Sequence, residues 1–354
     1  MIRGAAINPA NRFEPFHVEE DAEALEELRR ADPDWQPSAP QTAFFVDDTQ
    51  SLITKNESPD LSFDASLNPY RGCEHGCSYC YARRYHEYLG FSGGLDFEAK
   101  IMVKARAPAL LRAEMSRPSW RPQKLAMSGV TDCYQPVERK LRITRGCLEV
   151  LAEFRNPVVV ITKNHLITRD CDVLAELARW QAGAALISIT TLDRKLAAAL
   201  EPRASSPRMR LDAVRRLAEA GVPAGVSVAP VIPGLNDMEI PAILEAAREA
   251  GAQFAAYSLV RLSGCGADVF ADWLERHVSA AKKESVLSRI REAHGGRLND
   301  TRPGLRMRGE GERAEQIGQL FRVVARRLGL DRMRPEVTAK NFRRTQPGQM
   351  EFDF

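Results

Sequence analysis

Six short runs of almost unbroken apolar residues recur along the chain and limit what it can fold into. They are LNPY at 67–70, KLAMSGV at 124–130, PVVVITK at 157–163, ALISITT at 185–191, AGVSVAPVI at 224–232 and FAAYSLV at 254–260. A strand with one wet face alternates apolar and polar residues, and these runs do not. Continuous runs are expected of parallel strands covered by helices on both faces. The intervening stretches are amphipathic. RITRGCLEVLAEFR at 142–155 sets Ile143, Cys147, Leu148 and Leu151 along one helical face. RLDAVRRLAEAG (210–221) and IPAILEAAREAG (240–251) each close on a glycine suited to a helix C-cap. Strand–helix units in series join through right-handed crossovers. Six units, where a full barrel needs eight, predict an α/β chain built as a partial (β/α)6 TIM-like barrel.

The flanks read differently. Residues 1–50 form an N-terminal extension, with an acidic helix-like stretch VEEDAEALEELRR (18–30) and a proline-rich loop PDWQPSAPQ (33–41). The barrel core spans 51–265, a helical C-terminal region 266–335 and a flexible tail 336–354. The 44% hydrophobic and 27% charged residues fit a soluble globular protein. No apolar run approaches the ~20 residues that cross a bilayer, and MIRGAAINPANRFEPF lacks a signal-peptide core. The expectation is therefore a cytoplasmic protein without a membrane partner. Net charge is only +3, but residues 301–354 carry 12 basic against 7 acidic side chains. Such a segment either meets nucleic acid or is a solvated surface.

Of 7 cysteines, three fall within CEHGCSYC, residues 73–80. Cys73, Cys77 and Cys80 are one short of the four ligands of a structural zinc site. His75 would complete a Cys3His set, so zinc stays open on spacing alone. Thiolates also hold the iron corners of a [4Fe–4S] cluster. Three of them leave one iron with a free coordination position, as a catalytic metal requires.

Cx3Cx2C with an aromatic residue, Tyr79, before the last cysteine resembles the motif of the radical S-adenosylmethionine enzymes. A longer series resembles their spore photoproduct lyase-like, or DNA repair photolyase-like, branch. It runs SPD (58–60), NPYRGCEHGCSYCYAR (68–83), TDCYQPVE (131–138), SITTLD (188–193), EPR (201–203), APVIPGLND (229–237) and RMRGEG (306–311). The resemblance covers about residues 50–330. It implies a [4Fe–4S] cluster on Cys73, Cys77 and Cys80 and S-adenosyl-L-methionine on its open iron. It implies reductive cleavage of that cofactor, fed by an external electron donor. The product is a 5′-deoxyadenosyl radical that abstracts a hydrogen atom from substrate, with damaged DNA or other nucleic acid as the expected class and modification of RNA or peptide as the alternative.

Tyr79 and Tyr81 flank the third cysteine and are expected against the adenine or methionine; loop packing is the alternative. Gly129 would let the cofactor approach the backbone. Thr131 and Asp132 follow a strand end, where barrels build their sites; Asp132 takes an amine or ribose, or caps a turn. The resemblance places Lys163 against the cofactor carboxylate and gives Ser188 a further contact. Glu201, Arg203 and Arg210 are carboxylate or phosphate binders, or an ion-pair network. Asn236 and Asp237 are expected to cap the next helix. The branch carries a hydrogen-donating cysteine just before the TD aspartate, where this chain has Gly129 and Val130. Cys133 is the relocated donor, or a small buried apolar residue. The terminal QMEFDF (349–354) resembles peptides that dock into the bacterial sliding clamp.

Overall fold

The computed structural model describes residues 2–14, 22–31, 40–61, 63, 65–331 and 335–344. The described strands are β1 (Ala43–Val46), β2 (Ile53–Lys55), β3 (Ala65–Leu67), β4 (Tyr70–Arg71), β5 (Lys100–Val103), β6 (Leu125–Met127), β7 (Val158–Thr162), β8 (Gly183–Ser188), β9 (Ala224–Val231) and β10 (Phe254–Leu259). One sheet runs β10–β9–β8–β7–β6–β3–β2. Its pairs from β3 to β10 are parallel, and β2 is antiparallel to β3 at the edge. Among the described residues β2 and β10 do not pair, so the sheet is an open, partial barrel.

Each of the six apolar runs meets one parallel strand. The first strand ends before the run predicted it would. Pro69 has no N–H for a ladder, and Tyr70–Arg71 cross into a second sheet of order β1–β5–β4. That small sheet leads straight into the cysteines.

Helices Ile143–Phe154, Cys171–Arg179, Pro207–Glu219 and Ile240–Glu249 pack their apolar faces against the sheet. Gly221 and Gly251, at φ 77° and 98°, close the last two in the left-handed conformation. An open barrel leaves an edge with free backbone groups, a pairing hazard. At β10 the chain itself covers it. Ala255 N–H donates to Leu330 O at 3.1 Å and Leu259 N–H to Met307 O at 2.8 Å. Helices Gly266–His277, Ala280–Ala293 and Glu312–Arg327 complete this side, with Tyr257 against the Phe321 ring at 4.7 Å.

Two expectations change. Residues 336–344, assigned to a flexible tail, lie against the barrel. Thr338 N–H donates to Gln181 O at 2.8 Å, Arg343 N–H donates to Phe154 O at 3.0 Å, and Phe342 stacks on Phe154 at 6.1 Å. The clamp-like QMEFDF lies outside the described residues. Second, part of the basic charge of 301–354 is paired with acids from elsewhere in the chain. Arg306 pairs with Asp60, Arg313 with Glu292, and Arg327 with Glu245. No helix of the described residues is long and apolar enough to cross a membrane.

Candidate active site

Residues 72–80 leave β4 at the C-terminal ends of the parallel strands as a loop without a ladder of its own. Gly72 and Gly76 turn it at φ 76° and 67°. Its backbone groups need partners from elsewhere. Cys73 N–H donates to Phe97 O at 2.9 Å, and Ser78 N–H to Leu200 O at 3.0 Å. Gly72 O accepts from Thr131 Oγ1 at 2.8 Å and Gln135 Nε2 at 3.2 Å. Glu74 N–H donates to Gln135 Oε1 at 2.9 Å. Cys77 O accepts from the fully buried Arg83, Nε at 3.1 Å and Nη2 at 2.8 Å. Arg83 Nη2 meets the buried Glu98 at 2.5 Å, and Glu98 also accepts from the N–H groups of Gly4 and Ala5. The N-terminal extension is thus fastened to the back of this loop.

Cys73, Cys77 and Cys80 are free thiols, the first two buried. Burial pushes the Cys77 and Cys80 thiols up; at Cys77 the Glu201 carboxylate adds to this, and at both the neighbouring cysteines do. Thiols pushed up in this way carry thiolate charge only with a metal to offset it. Ser78 Oγ, between two of them in sequence, is buried without a hydrogen-bond partner, and sulfide-rich anionic ligands would supply one. The donor set therefore fits an iron–sulfur cluster. It does not fit Cys3His zinc. Asn164 Oδ1 accepts from Leu166 N–H at 3.0 Å, which turns its Nδ2 toward His75 Nε2 at 3.0 Å. His75 Nδ1 faces Asp132 at 3.4 Å. Both ring nitrogens are engaged, and among the described residues no three His, Cys, Asp or Glu side chains converge on a single ion.

The remaining predicted residues divide. Asp132 uses both oxygens within the protein: Oδ1 accepts from Thr162 Oγ1 at 2.7 Å, and Oδ2 from Lys163 N–H at 2.8 Å. Glu201, Arg210, Lys163 and Tyr79 form one buried group. Glu201 accepts from Tyr79 OH, from Arg210 Nη2, and from Thr190 Oγ1 at 2.6 Å, with Lys163 Nζ 3.4 Å away. Burial pushes the Glu201 carboxyl up, but Arg210 and Lys163 overcome it and hold it below the usual carboxylate range. Ser188 ends β8, and its carbonyl accepts from Arg210 Nη1 at 3.1 Å. Arg203 pairs with the buried Glu74 of the cysteine loop at 2.8 Å. Tyr81 donates to the Gly129 carbonyl and lies under the Arg261 guanidinium at 4.4 Å.

Cys133 is placed differently from the donor expectation. Its thiol is fully buried in the main apolar core, beside Tyr134 in sequence and away from solvent. Asn236 does not cap its helix either. Its side chain reaches back to Thr190 O at 2.7 Å and accepts from Ile232 N–H at 2.6 Å. Sequence reasoning missed Glu74, Arg83, Glu98, Gln135 and Thr190. The signal for Arg83 was present: an arginine three residues past the last cysteine, inside an apolar turn.

The fold and this loop define an open (β/α) barrel that carries three free cysteines on the loop after its first parallel strand. A family model for the Radical SAM superfamily matches residues 67–247, and the chain belongs to that family. It is 34% identical over 236 residues to the uncharacterized protein Rv2578c of Mycobacterium tuberculosis, covering 66% of this chain and 68% of that protein. It is 29% identical over 173 residues to the uncharacterized protein MJ0683 of Methanocaldococcus jannaschii, covering 49% of this chain and 62% of that one. Spore photoproduct lyase complexed with dinucleoside spore photoproduct shares its fold, with a TM-score of 0.59 at 14% identity over 86% of this chain and 91% of that one. A lyase variant with bound AdoMet and the same dinucleoside gives 0.56 at 15% identity, over 86% and 91%. The chain is thus a radical SAM enzyme, and family membership implies an iron–sulfur cluster and S-adenosylmethionine.

Glu98→Gln should leave Arg83 as an uncompensated buried cation. The expected loss is about 3–5 kcal/mol, read by urea unfolding, with lower iron uptake. His86 supplies a pH test. It lies between Phe91 and Phe97, with centroids at 5.4 and 5.6 Å, and burial holds its pKa down at about 4. The unfolded chain titrates near 6.5, so it binds the extra proton first. The stability from the neutral ring is complete above about pH 6.5 and is lost as pH falls toward 4. Urea midpoints measured from pH 7 to 4 should decline, and His86→Phe should shallow that decline.

Proposed function

We propose that this enzyme binds a [4Fe–4S] cluster through Cys73, Cys77 and Cys80 and acts by radical chemistry on nucleic acid, with a lesion-bearing strand as the first candidate. When bound, the cluster and S-adenosylmethionine together supply a 5′-deoxyadenosyl radical that removes a hydrogen atom from substrate. The chain's own part is to hold, orient and exclude water. Glu201 is already matched by Arg210, so Lys163 is the surplus cation of that buried group. It rests on Ala229 O at 2.9 Å and Thr190 Oγ1 at 3.4 Å. A mostly buried ammonium with one positive charge in excess calls for an anion, and the cofactor carboxylate is the anion available. Tyr79, tied to Glu201, stiffens the stretch between Cys77 and Cys80. Thr131 and Asp132 act as positioning residues, since both are engaged within the protein. Ser188 and Arg210 support the far wall.

One observation carries the substrate class. Beyond the last cysteine, guanidiniums and exposed aromatic rings are interleaved at the barrel mouth. Arg261 lies over Tyr81, and Arg84 lies 5.9 Å from Tyr85. Rings that stack bases beside cations that meet phosphates are how proteins hold single strands. The dinucleoside bound by the fold's lyase relatives agrees with this.

The test is anaerobic reconstitution with iron and sulfide, then dithionite and S-adenosylmethionine, with ultraviolet-damaged DNA, RNA or peptide carrying deuterium. Wild type and Cys133→Ala should both form 5′-deoxyadenosine, and Cys80→Ala none. Lys163→Met should bind S-adenosylmethionine roughly tenfold more weakly, about 1.4 kcal/mol. Deuterium should enter 5′-deoxyadenosine from the DNA. Label arriving only from peptide would overturn the substrate class. Zinc in place of iron would overturn the whole reading.

A further inference from the structure

Residues 81–89, which leave the last cysteine, form two short 3-10 turns, Tyr81–Tyr85 and Glu87–Leu89. One side of this stretch is buried, with Ala82, Arg83, His86 and Glu87. The other carries three tyrosines, whose exposure rises away from the cysteines, from 36% at Tyr81 to 45% at Tyr85 and 62% at Tyr88. A solvent face built of rings marks a surface that something else covers. The N-terminal extension adds a fourth ring. Phe13 is exposed, and its centroid lies 4.8 Å from that of Tyr88. It is held there by Asn11, whose Nδ2 donates to Glu87 O at 2.9 Å and to Phe91 O at 3.1 Å and whose Oδ1 accepts from Phe13 N–H at 2.9 Å. Charge along this face is graded. Beside Tyr81 and Tyr85, Arg261 and Arg84 make no ion pair among the described residues, and Arg84 Nε is buried with no hydrogen-bond partner. At the far end Arg12 covers Phe13 and Tyr88, at 4.6 and 5.3 Å, but Glu87 neutralises it at 3.0 Å.

We propose that Tyr81, Tyr85, Tyr88 and Phe13 form a stacking track that carries a single-stranded segment away from the site, so that the substrate is a nucleotide within a strand rather than a free nucleoside or a base in a closed duplex. The track rests on the nucleic-acid reading above. Phosphates meet the two unpaired guanidiniums at the near end, and bases stack on rings at the far end, where the charge is already cancelled. Bases in a duplex are stacked on one another and offer such rings no free face. At about 2.0 Å per residue in a 3-10 turn, Tyr81 to Tyr88 spans up to ~14 Å. That is room for about four nucleotides at ~3.4 Å each. An acidic peptide would satisfy the guanidiniums but would give the rings nothing to stack.

The test is fluorescence anisotropy of the full chain with labelled oligothymidylates of increasing length, a matched duplex and polyglutamate. Affinity for single strands should rise from the dinucleotide to about four to eight nucleotides and then level off. Tyr88→Ala and Phe13→Ala should each weaken the longer strands roughly tenfold and leave the dinucleotide unchanged, which also reports that the variants are folded. Tyr88→Phe keeps the ring and should bind as wild type does. Arg84→Ala and Arg261→Ala should each lower the slope of log affinity against log salt by about 0.7. Affinity independent of length, or tighter binding of the duplex, would overturn the track and leave the nucleic-acid reading standing. Polyglutamate bound as well as the strands would also overturn it, since the rings would then contribute nothing. No binding to any nucleic acid would instead remove the reading on which the track rests, and the track with it.

Discussion

The buried pair of Arg83 and Glu98 is the contact on which the site depends. A loop that must hold three sulfurs at one place cannot also form a strand or helix, so its carbonyls lack regular partners. Burying an unpaired peptide group costs about 1–3 kcal/mol. Arg83 supplies several donors at once: two to Cys77 O, and one each to Gly93 O at 3.1 Å and Gly94 O at 2.9 Å. A cation in that position would be ruinous alone, and Glu98 neutralises it. Glu98 in turn takes the N–H groups of Gly4 and Ala5 at 2.9 and 2.8 Å. One ion pair thereby joins the N-terminal extension, the small sheet and the cysteine loop. The approach is close: a Cβ on Gly4 would sit 1.6 Å from Gly76 O.

The same economy explains why the sequence motifs travel together. Most are halves of hydrogen-bonded pairs. The Glu of CEHGC accepts from Val137 N–H in TDCYQPVE at 2.8 Å and from Arg203 of EPR. The Tyr of NPYRG donates to Glu138 at 2.5 Å. Asn236 of APVIPGLND reaches Thr190 of SITTLD. Arg306 of RMRGEG pairs with Asp60 of SPD at 2.5 Å. Several residues that read as cofactor contacts in the sequence also tie segments of the chain together, with Asp132 the clearest case.

The barrel was legible because each central strand is apolar throughout and each helix shows a 3.6-residue stripe. The second sheet was not. Tyr70–Arg71, Ala43–Val46 and Lys100–Val103 are two to four residues long, too short for any period to show. Strand ends also shifted. ALISITT stops pairing at Ser188 because Thr190 and Thr191 turn to Glu201 and Glu239, both at 2.6 Å. Cys73, Cys77 and Cys80 could be read as one set because they share a single short loop. The fate of Cys133 could not. Whether a thiol after Asp132 faces the cavity or the core depends on a turn that begins at Ser128, at φ 85°, and nothing local in the sequence encodes that angle.

Charge taught the opposite lesson from the one composition suggests. The C-terminal excess looks like a nucleic-acid surface, yet three of its arginines reach across the fold to Asp60, Glu292 and Glu245. An exposed cation with a carboxylate beside it offers little to a phosphate, because the field is already cancelled at short range. At the barrel mouth the reverse holds. Among the described residues neither Arg84 nor Arg261 makes an ion pair, and the ring of Tyr85 or Tyr81 is each one's aromatic neighbour. A π face attracts a guanidinium without neutralising it. The mouth therefore keeps positive charge and stacking surface together a few residues from the cysteines, a placement no count of lysines and arginines would locate.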